Sequence, residues 1–282
     1  MKDHQAEYTV VEMATILQVS RSGYYRWLRQ PQSRRTQANE RLWHAITHVY
    51  VRHRGCYGSP RITRELHDQG RPCGRHRVAR LMREHGLQAK AAQRVKITTH
   101  SDHHEPVAPN LVQRRFRADQ ANALWVSDIT YIWTDERWLY LAVVLDVYNR
   151  KVVGWCLSER LTKELVLEAI QQAVDRERPG AGLVFHSDRG CQYASQAVRH
   201  LLLDHQLRQS MSGKGNCYDN ALMESFFHTA KVELIHQEKY YTRSQARQSI
   251  FEYIEVYYNR QRKHSALGYV TPMQYGQMKK VA

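Results

Sequence analysis

The chain has 282 residues, with 42 Lys and Arg against 27 Asp and Glu, a net charge of +15 with His neutral. That length supports two domains with a buried core in at least one of them, and that charge points to a polyanionic partner. The five cysteines are odd in number and form no Cys-x-x-Cys pair, which supports neither a disulfide framework nor a zinc ribbon. The opening MKDHQAEYTV has no apolar signal core, and no apolar run nears the ~20 residues of a membrane span. The expectation is a cytoplasmic, nucleoid-associated protein with no membrane association.

The first part of the chain reads as helical and basic. Val10, Val11, Met13, Ala14, Ile16 and Leu17 make an apolar face at helical spacing. A turn at Ser20 and a second segment, Tyr24-Tyr25-Arg26-Trp27-Leu28, follow; the pair is either a helix-turn-helix, with Arg21 and Arg26 towards DNA, or an ordinary helical hairpin. A helix is expected over 38–51. Beyond the turn at 55–60, where Ser59 can cap and Pro60 suits the first helical position, two short helices are expected over 61–69 and 76–85. Their Arg61, Arg64, Arg77 and Arg80 are candidate phosphate contacts, the plainer reading being a solvated face. Residues 1–87 thus form a DNA-binding region, and residues 88–121, basic and without apolar periodicity, a linker.

From Leu124 the pattern changes to runs rich in Val, Ile, Tyr and Trp: strands over 124–133, 138–148 and 151–158, joined by turns short enough for hairpins. A helix over 163–176, a strand over 183–186, a helix over 195–206, a strand over 207–211 and helices over 221–234 and 244–258 complete the series. This order predicts an α/β domain over 122–282, a five-stranded mixed sheet flanked by helices.

Three carboxylates stand out: Asp128 in WVSDITY, Asp188 in FHSDRG and Glu224 in NALMESFF, the last two separated by 35 residues. A charge inside the apolar strand around Asp128 is costly unless it is paired or bound to metal. Asp188 follows a short strand, where open α/β sheets host their sites. Each alone could be a structural ion pair or cap. Together they suit two divalent ions about 3.5–4 Å apart at a phosphodiester. Lys231 lies seven residues after Glu224, two turns along the same helix face, and His228 lies on that face between them. An all-oxygen site makes His228 a DNA or carboxylate contact rather than a ligand. Lys214, Asn216 and Asn220 belong to a Gly-rich loop suited to ordering on a substrate. Asp146 also sits in a strand.

The motifs WVSDITY, LDVYNRKVVGW, HSDRGCQY, SGKGNCYDNALMESFF and YNRQRKHSALGYVTPMQY, with GCYGSPRI nearer the start, resemble the second-frame (OrfB-type) transposase of bacterial insertion sequences that use two overlapping reading frames. Its catalytic core is similar to retroviral integrase. The resemblance covers essentially the whole chain. It implies a ribonuclease H-like fold and a D, D, 35, E triad at Asp128, Asp188 and Glu224, with two Mg2+ ions, or Mn2+ as a substitute. It places Lys231 at the element end and makes the LDVYNRKVVGW segment architectural, which leaves Asp146 out of the triad. It implies a metal-free N-terminal module, so that His44, His48, Cys56 and Cys73 do not bind zinc. The implied reaction is cleavage at an element end followed by joining of the freed 3′-hydroxyl to DNA. The implied partners are the element ends and target DNA, the first-frame (OrfA-type) protein, often as a frameshift fusion, and further copies of the chain. The rival readings are a catalytically inactive DNA-binding regulator and a plain nuclease on the same fold.

Overall fold

The computed structural model describes residues 1–29, 32–90, 106–213 and 217–278. Two compact units divide the chain, Met1–Ala89 and Lys90–Ala282. Among the described residues, no helix is long and apolar enough to cross a membrane.

The first unit contains helices α1 (Val10–Ile16), α2 (Arg21–Arg29), α3 (Arg34–Arg52), α4 (Ser59–Asp68) and α5 (Arg75–Glu84). Thr9 and Glu12 cap α1 reciprocally, each side chain taking up a backbone N–H the helix leaves open. Ser33 caps α3 by accepting from the Thr36 N–H. At α4 the cap is Gly58, not Ser59: Ser59 is already helical, and Pro60 occupies the first turn, where its missing N–H costs nothing. The core of this unit is Ala45, Ile46 and Val49 of α3 against Ile62 and Leu66 of α4 and Val78 and Leu81 of α5. Cys56 is buried within that cluster.

The second unit is built on strands β1 (Leu124–Thr134), β2 (Arg137–Asp146), β3 (Val152–Ser158), β4 (Val184–Ser187) and β5 (Arg208–Met211), in the order β3-β2-β1-β4-β5. The first three are antiparallel, whereas β4 and β5 add on in parallel. This is the mixed five-stranded sheet the alternation predicts. Helices α6 (Lys163–Glu177), α7 (Cys191–Ala194) and α8 (Gln196–Asp204) cover one face, and α9 (Ala221–Glu233), α10 (Arg243–Phe251) and a π-helical turn (Glu252–Tyr258) the other. Val126, Ile132, Leu141 and Val143 pack on Phe226, Phe227 and the Tyr253–Tyr258 segment. Trp125, Ala142, Val144 and Val153 pack on Val166, Ala169, Ile170 and Val198. With both faces covered, β2 reads as a continuous apolar run from Leu139 to Leu145, whereas β1 interrupts its own with Ser127, Asp128 and Thr130.

Three local expectations differ from the fold. The helix expected over 244–258 widens into the π-helical turn at Glu252, which sets Tyr253, Ile254, Tyr257 and Tyr258 on the core. The helix expected over 195–206 is preceded by the separate turn α7, with Ser195 extended between the two. Residues 106–121, read as the end of a linker, belong to the second unit and pack on its core. Val112 is buried in its core, the Leu111 N–H donates to Ser210 Oγ at 2.9 Å, and Asn110 and Arg114 both reach Asp219 at 3.0 Å. Val112, Phe116 and Ala118 pack on the core and single polar contacts fix the residues around them, an irregular pattern that leaves no periodicity to detect.

Candidate active site

Asp128 and Asp188 are brought together by strand register. In the parallel β1–β4 pair the last rung is Ser127↔Ser187, so each aspartate is the next residue along neighbouring strands. Such strands lie about 4.8 Å apart. β4 ends there while β1 continues, which opens a crevice at the carboxyl end of β4. Asp128 Oδ1 accepts the Ile129 N–H at 2.8 Å. Asp188 Oδ1 accepts the Gly190 N–H at 2.9 Å, closing a tight turn. A Cβ at Gly190 would stand 3.1 Å from that same oxygen, so glycine keeps the turn close to the carboxylate.

Glu224 comes from the first turn of α9, half-buried, with its carboxyl pushed up by burial. The Asp128 carboxyl is held well above the ordinary carboxylate range, first by burial, then by the charge of Asp188, with Glu224 adding to it and the Ile129 N–H and Lys231 opposing. The two aspartates, the glutamate and the lysine therefore share one electrostatic neighbourhood. Lys231 is half-buried; burial lowers its ammonium pKa and Asp128 partly restores it. His228 is exposed on the same helix, and Lys231 and His228 add to the burial that lowers the pKa of His236. Among the described residues, no three His, Cys, Asp or Glu side chains converge closely enough to hold a metal unaided. The donor set is all carboxylate, the chemistry of Mg2+, which usually takes one or two carboxylates and completes its shell with water and substrate phosphates.

Beneath the carboxylates lies a polar floor that sequence patterns do not reveal. Ser127 Oγ donates to the Val143 carbonyl at 2.8 Å and, its hydrogen thus used, accepts from Tyr193 O–H at 2.8 Å. Burial, then Asp128 and Asp188, push the Tyr193 phenol far up, so it remains a donor. His186 accepts from Ser210 Oγ through Nδ1 and donates from Nε2 to the Asp219 carbonyl, both at 2.8 Å; burial lowers its pKa and keeps it neutral in that role. Asp219 is buried and accepts from the Gly213 N–H at 2.8 Å as well as from Asn110 and Arg114. Burial opposes its charge, but these donors outweigh it and hold the carboxyl below its usual value. Asp219 thus ties the two flanks of the Gly-rich loop to the sheet.

Asn220 differs from its sequence reading as a DNA contact. It is buried, and its Nδ2 donates to the Ser127 carbonyl at 3.3 Å, joining the start of α9 to β1 beside Asp128. Lys214 and Asn216 lie outside the described residues. Asp146 is fully buried and accepts the N–H groups of Asn122 and Tyr148, both at 2.8 Å. Burial, partly opposed by those two N–H groups, pushes its pKa up to about 6. It clasps the β2–β3 turn, away from the triad. In the first unit, Arg21 and Arg26 are exposed on α2. Arg64 pairs with Asp68 at 3.0 Å, Arg77 donates to Asn39 at 2.9 Å, Arg80 lies 3.6 Å from Glu84, and Arg61 lies over the Tyr57 ring at 5.6 Å. Each of these four already has an intramolecular neighbour.

The sequence matches the family description "Integrase core domain" over residues 118–217 and, by a second such description, over 224–279; residues 37–95 match "HTH-like domain". The latter range takes in most of α3 with α4 and α5, and leaves out α1 and α2, where the apolar pattern suggested a helix-turn-helix. The chain is 45% identical over 260 residues to the "Insertion element IS600 uncharacterized 31 kDa protein" of Shigella sonnei, covering 92% of this chain and 96% of that one. It is 42% identical over 277 residues to "Transposase InsF for insertion sequence IS3A" of Escherichia coli, covering 98% and 96%. The solved HTLV-2 integrase catalytic core domain in complex with magnesium is similar at 17% identity and a TM-score of 0.45, over 57% of this chain and 99% of that one. With its HTH-like helical unit and integrase core, the chain belongs to the insertion-sequence transposase family of InsF.

Proposed function

We propose that the second unit cleaves and joins DNA by metal-dependent transesterification, with Asp128, Asp188 and Glu224 as the metal-holding carboxylates. The single observation that carries this reading is the parallel rung Ser127↔Ser187, which sets Asp128 and Asp188 side by side at the end of β4, where burial and the charges of Asp188 and Glu224 push the Asp128 carboxyl up. Such a cluster of like charges is costly unless cations enter it. Two Mg2+ ions, or Mn2+ in their place, would supply the Lewis acidity that activates an attacking oxygen and stabilises the leaving one. Asp128 and Asp188, adjacent across the β1–β4 pair, hold the shared side of the site, and Glu224 closes it from α9. Lys231 and His228 hold the phosphates leading into it. Gly190 and the Ser127–Tyr193 floor keep the carboxylates oriented. Water attacks the phosphodiester at the element end and releases a 3′-hydroxyl. That hydroxyl then attacks a phosphodiester of the target, forming one P–O bond as the target's own 3′-oxygen leaves.

The region 1–87 delivers DNA through α4 and α5; Arg21, Arg26, Arg61, Arg64, Arg77 and Arg80 carry the phosphate contacts there, and Lys214 and Asn216 those of the loop. Two ends handled together call for several copies of the chain, and a first-frame partner, free or fused, completes the machinery on the nucleoid. The test is strand transfer of a labelled element end with Mg2+, comparing the wild type with Asp188→Asn. We expect cleavage and joining to fall by at least ~100-fold with binding retained. Joining that survives the substitution would sink the carboxylate mechanism, and cleavage without joining would reduce the protein to a nuclease.

A further inference from the structure

The β1–β2 hairpin extends beyond the site as an arm, because among the described residues β4 pairs with β1 only over Leu124–Ser127. Along β1, side chains alternate: Thr130, Ile132 and Thr134 are buried, whereas Tyr131 and Trp133 are 43% and 55% exposed. Outward positions of a half-covered antiparallel pair are ordinarily polar. Here they are aromatic on both strands. Tyr131 stands opposite Tyr140 and Trp133 opposite Trp138, itself 45% exposed. The rings form a continuous series: Tyr140 to Tyr131 at 5.3 Å, Tyr131 to Trp138 at 6.2 Å, and Trp138 to Trp133 at 4.9 Å, each pair edge to face. An exposed aromatic surface of this extent marks an interaction site.

The arm is held from beneath. The Asp135 N–H donates to the Tyr240 carbonyl at 3.0 Å, the Arg243 N–H to Glu136 Oε2 at 2.7 Å, and Lys239 pairs with Asp135 at 3.3 Å. It also begins at the catalytic crevice. Tyr131 is three residues from Asp128, about 10 Å along the strand and on the opposite face by the alternation of β1, and its phenol, raised by burial, then Tyr140, Asp188 and Asp128, lies within electrostatic reach of both aspartates past the end of β4.

We propose that Tyr131, Trp133, Trp138 and Tyr140 form a stacking platform for unpaired bases of the DNA strand whose phosphodiester lies at Asp128 and Asp188. The chain carries a net +15, which favours a polyanionic partner, and rings that start within electrostatic reach of Asp188 and Asp128 offer faces to successive bases whatever their sequence. The proposal rests on the reading of the carboxylates as the DNA-cleaving centre.

The test is quenching of tryptophan fluorescence in the full chain by a short mixed-sequence single-stranded oligonucleotide, with Ca2+ in place of Mg2+. Affinity is checked in parallel by anisotropy of the labelled strand. Replacing both Trp133 and Trp138 by Leu is expected to weaken binding by about 10- to 100-fold, while Trp133→Phe, which keeps a ring, stays within a few-fold of wild type. Circular dichroism melting verifies that the variants fold. Unchanged affinity in a folded double variant overturns the platform. So does unchanged affinity accompanied by loss of self-association, which would make the arm a contact between copies of the chain. A wild type that binds with this aromatic dependence but neither cleaves nor joins supports the platform and sinks only the metal chemistry.

Discussion

Asp128 sits among groups that disfavour its charge, so its state depends on pH and on cations. Because burial and Asp188 raise its folded-state pKa, the stability given by the neutral form is complete below the unfolded value. It is lost as pH rises through the folded one. Asp128→Asn removes that cost, and metal-free Asp128→Asn is expected to melt at or above wild type near neutral pH. Saturating Mg2+ should raise the wild-type melting temperature, by the equivalent of about 2.7 kcal/mol at 100 times Kd, and leave the variant unmoved. Equal Mg2+ responses would count against Asp128 as a ligand. A second residue-scale prediction concerns Glu233 and Arg262, both buried and paired through contacts of 2.7–3.0 Å, with Tyr253 O–H donating to the same carboxylate at 2.9 Å. Arg262→Met strands the Glu233 charge at the end of α9 and is expected to cost about 3–5 kcal/mol in urea unfolding. A loss under about 1 kcal/mol would mean that the pair does not hold the end of α9 in place.

Among the elements, closeness of approach matters as much as pattern. At Gly154 on β3, an added Cβ would stand 2.2 Å from the Ala169 carbonyl oxygen and 2.8 Å from Ala173 of α6. Gly154→Ala must therefore push helix from sheet, with an expected cost of at least 1–3 kcal/mol by denaturant titration. A neutral result would show that α6 can slide freely. The strands, the long helices and the two aspartates, one within β1 and one just past β4, were legible in the sequence, because hydrophobic alternation records which faces are buried. The placement of residues 106–121 was not, since Asn110, Leu111 and Arg114 dock through single hydrogen bonds to partners about 100 positions away. Asn220 was misread for a related reason: composition marks a polar loop residue, and only the fold turns its amide inwards to β1.

At the scale of the molecule, charge is unevenly distributed. Residues 1–89 hold 16 Lys and Arg against 7 Asp and Glu, a net +9 of the total +15. DNA affinity of the full chain is expected to fall steeply with salt, by about 10³- to 10⁵-fold between 50 and 200 mM if six to ten phosphates are contacted. A shallow slope in a salt titration would contradict a phosphate-dominated interface.

Local chemistry along the chain was enough for the basic helical half, the strand series and the spacing of Asp128, Asp188 and Glu224, because each depends on residue type and short-range periodicity. The adjacency of Asp128 and Asp188 depends on the parallel rung Ser127↔Ser187, and Glu224 reaches their neighbourhood only through α9. The Ser127–Tyr193 floor, the Asp219 clasp and the outward row of aromatic rings likewise join residues distant in sequence. Contacts of that kind leave no trace in periodicity and arise only when the sheet and its two helical layers pack.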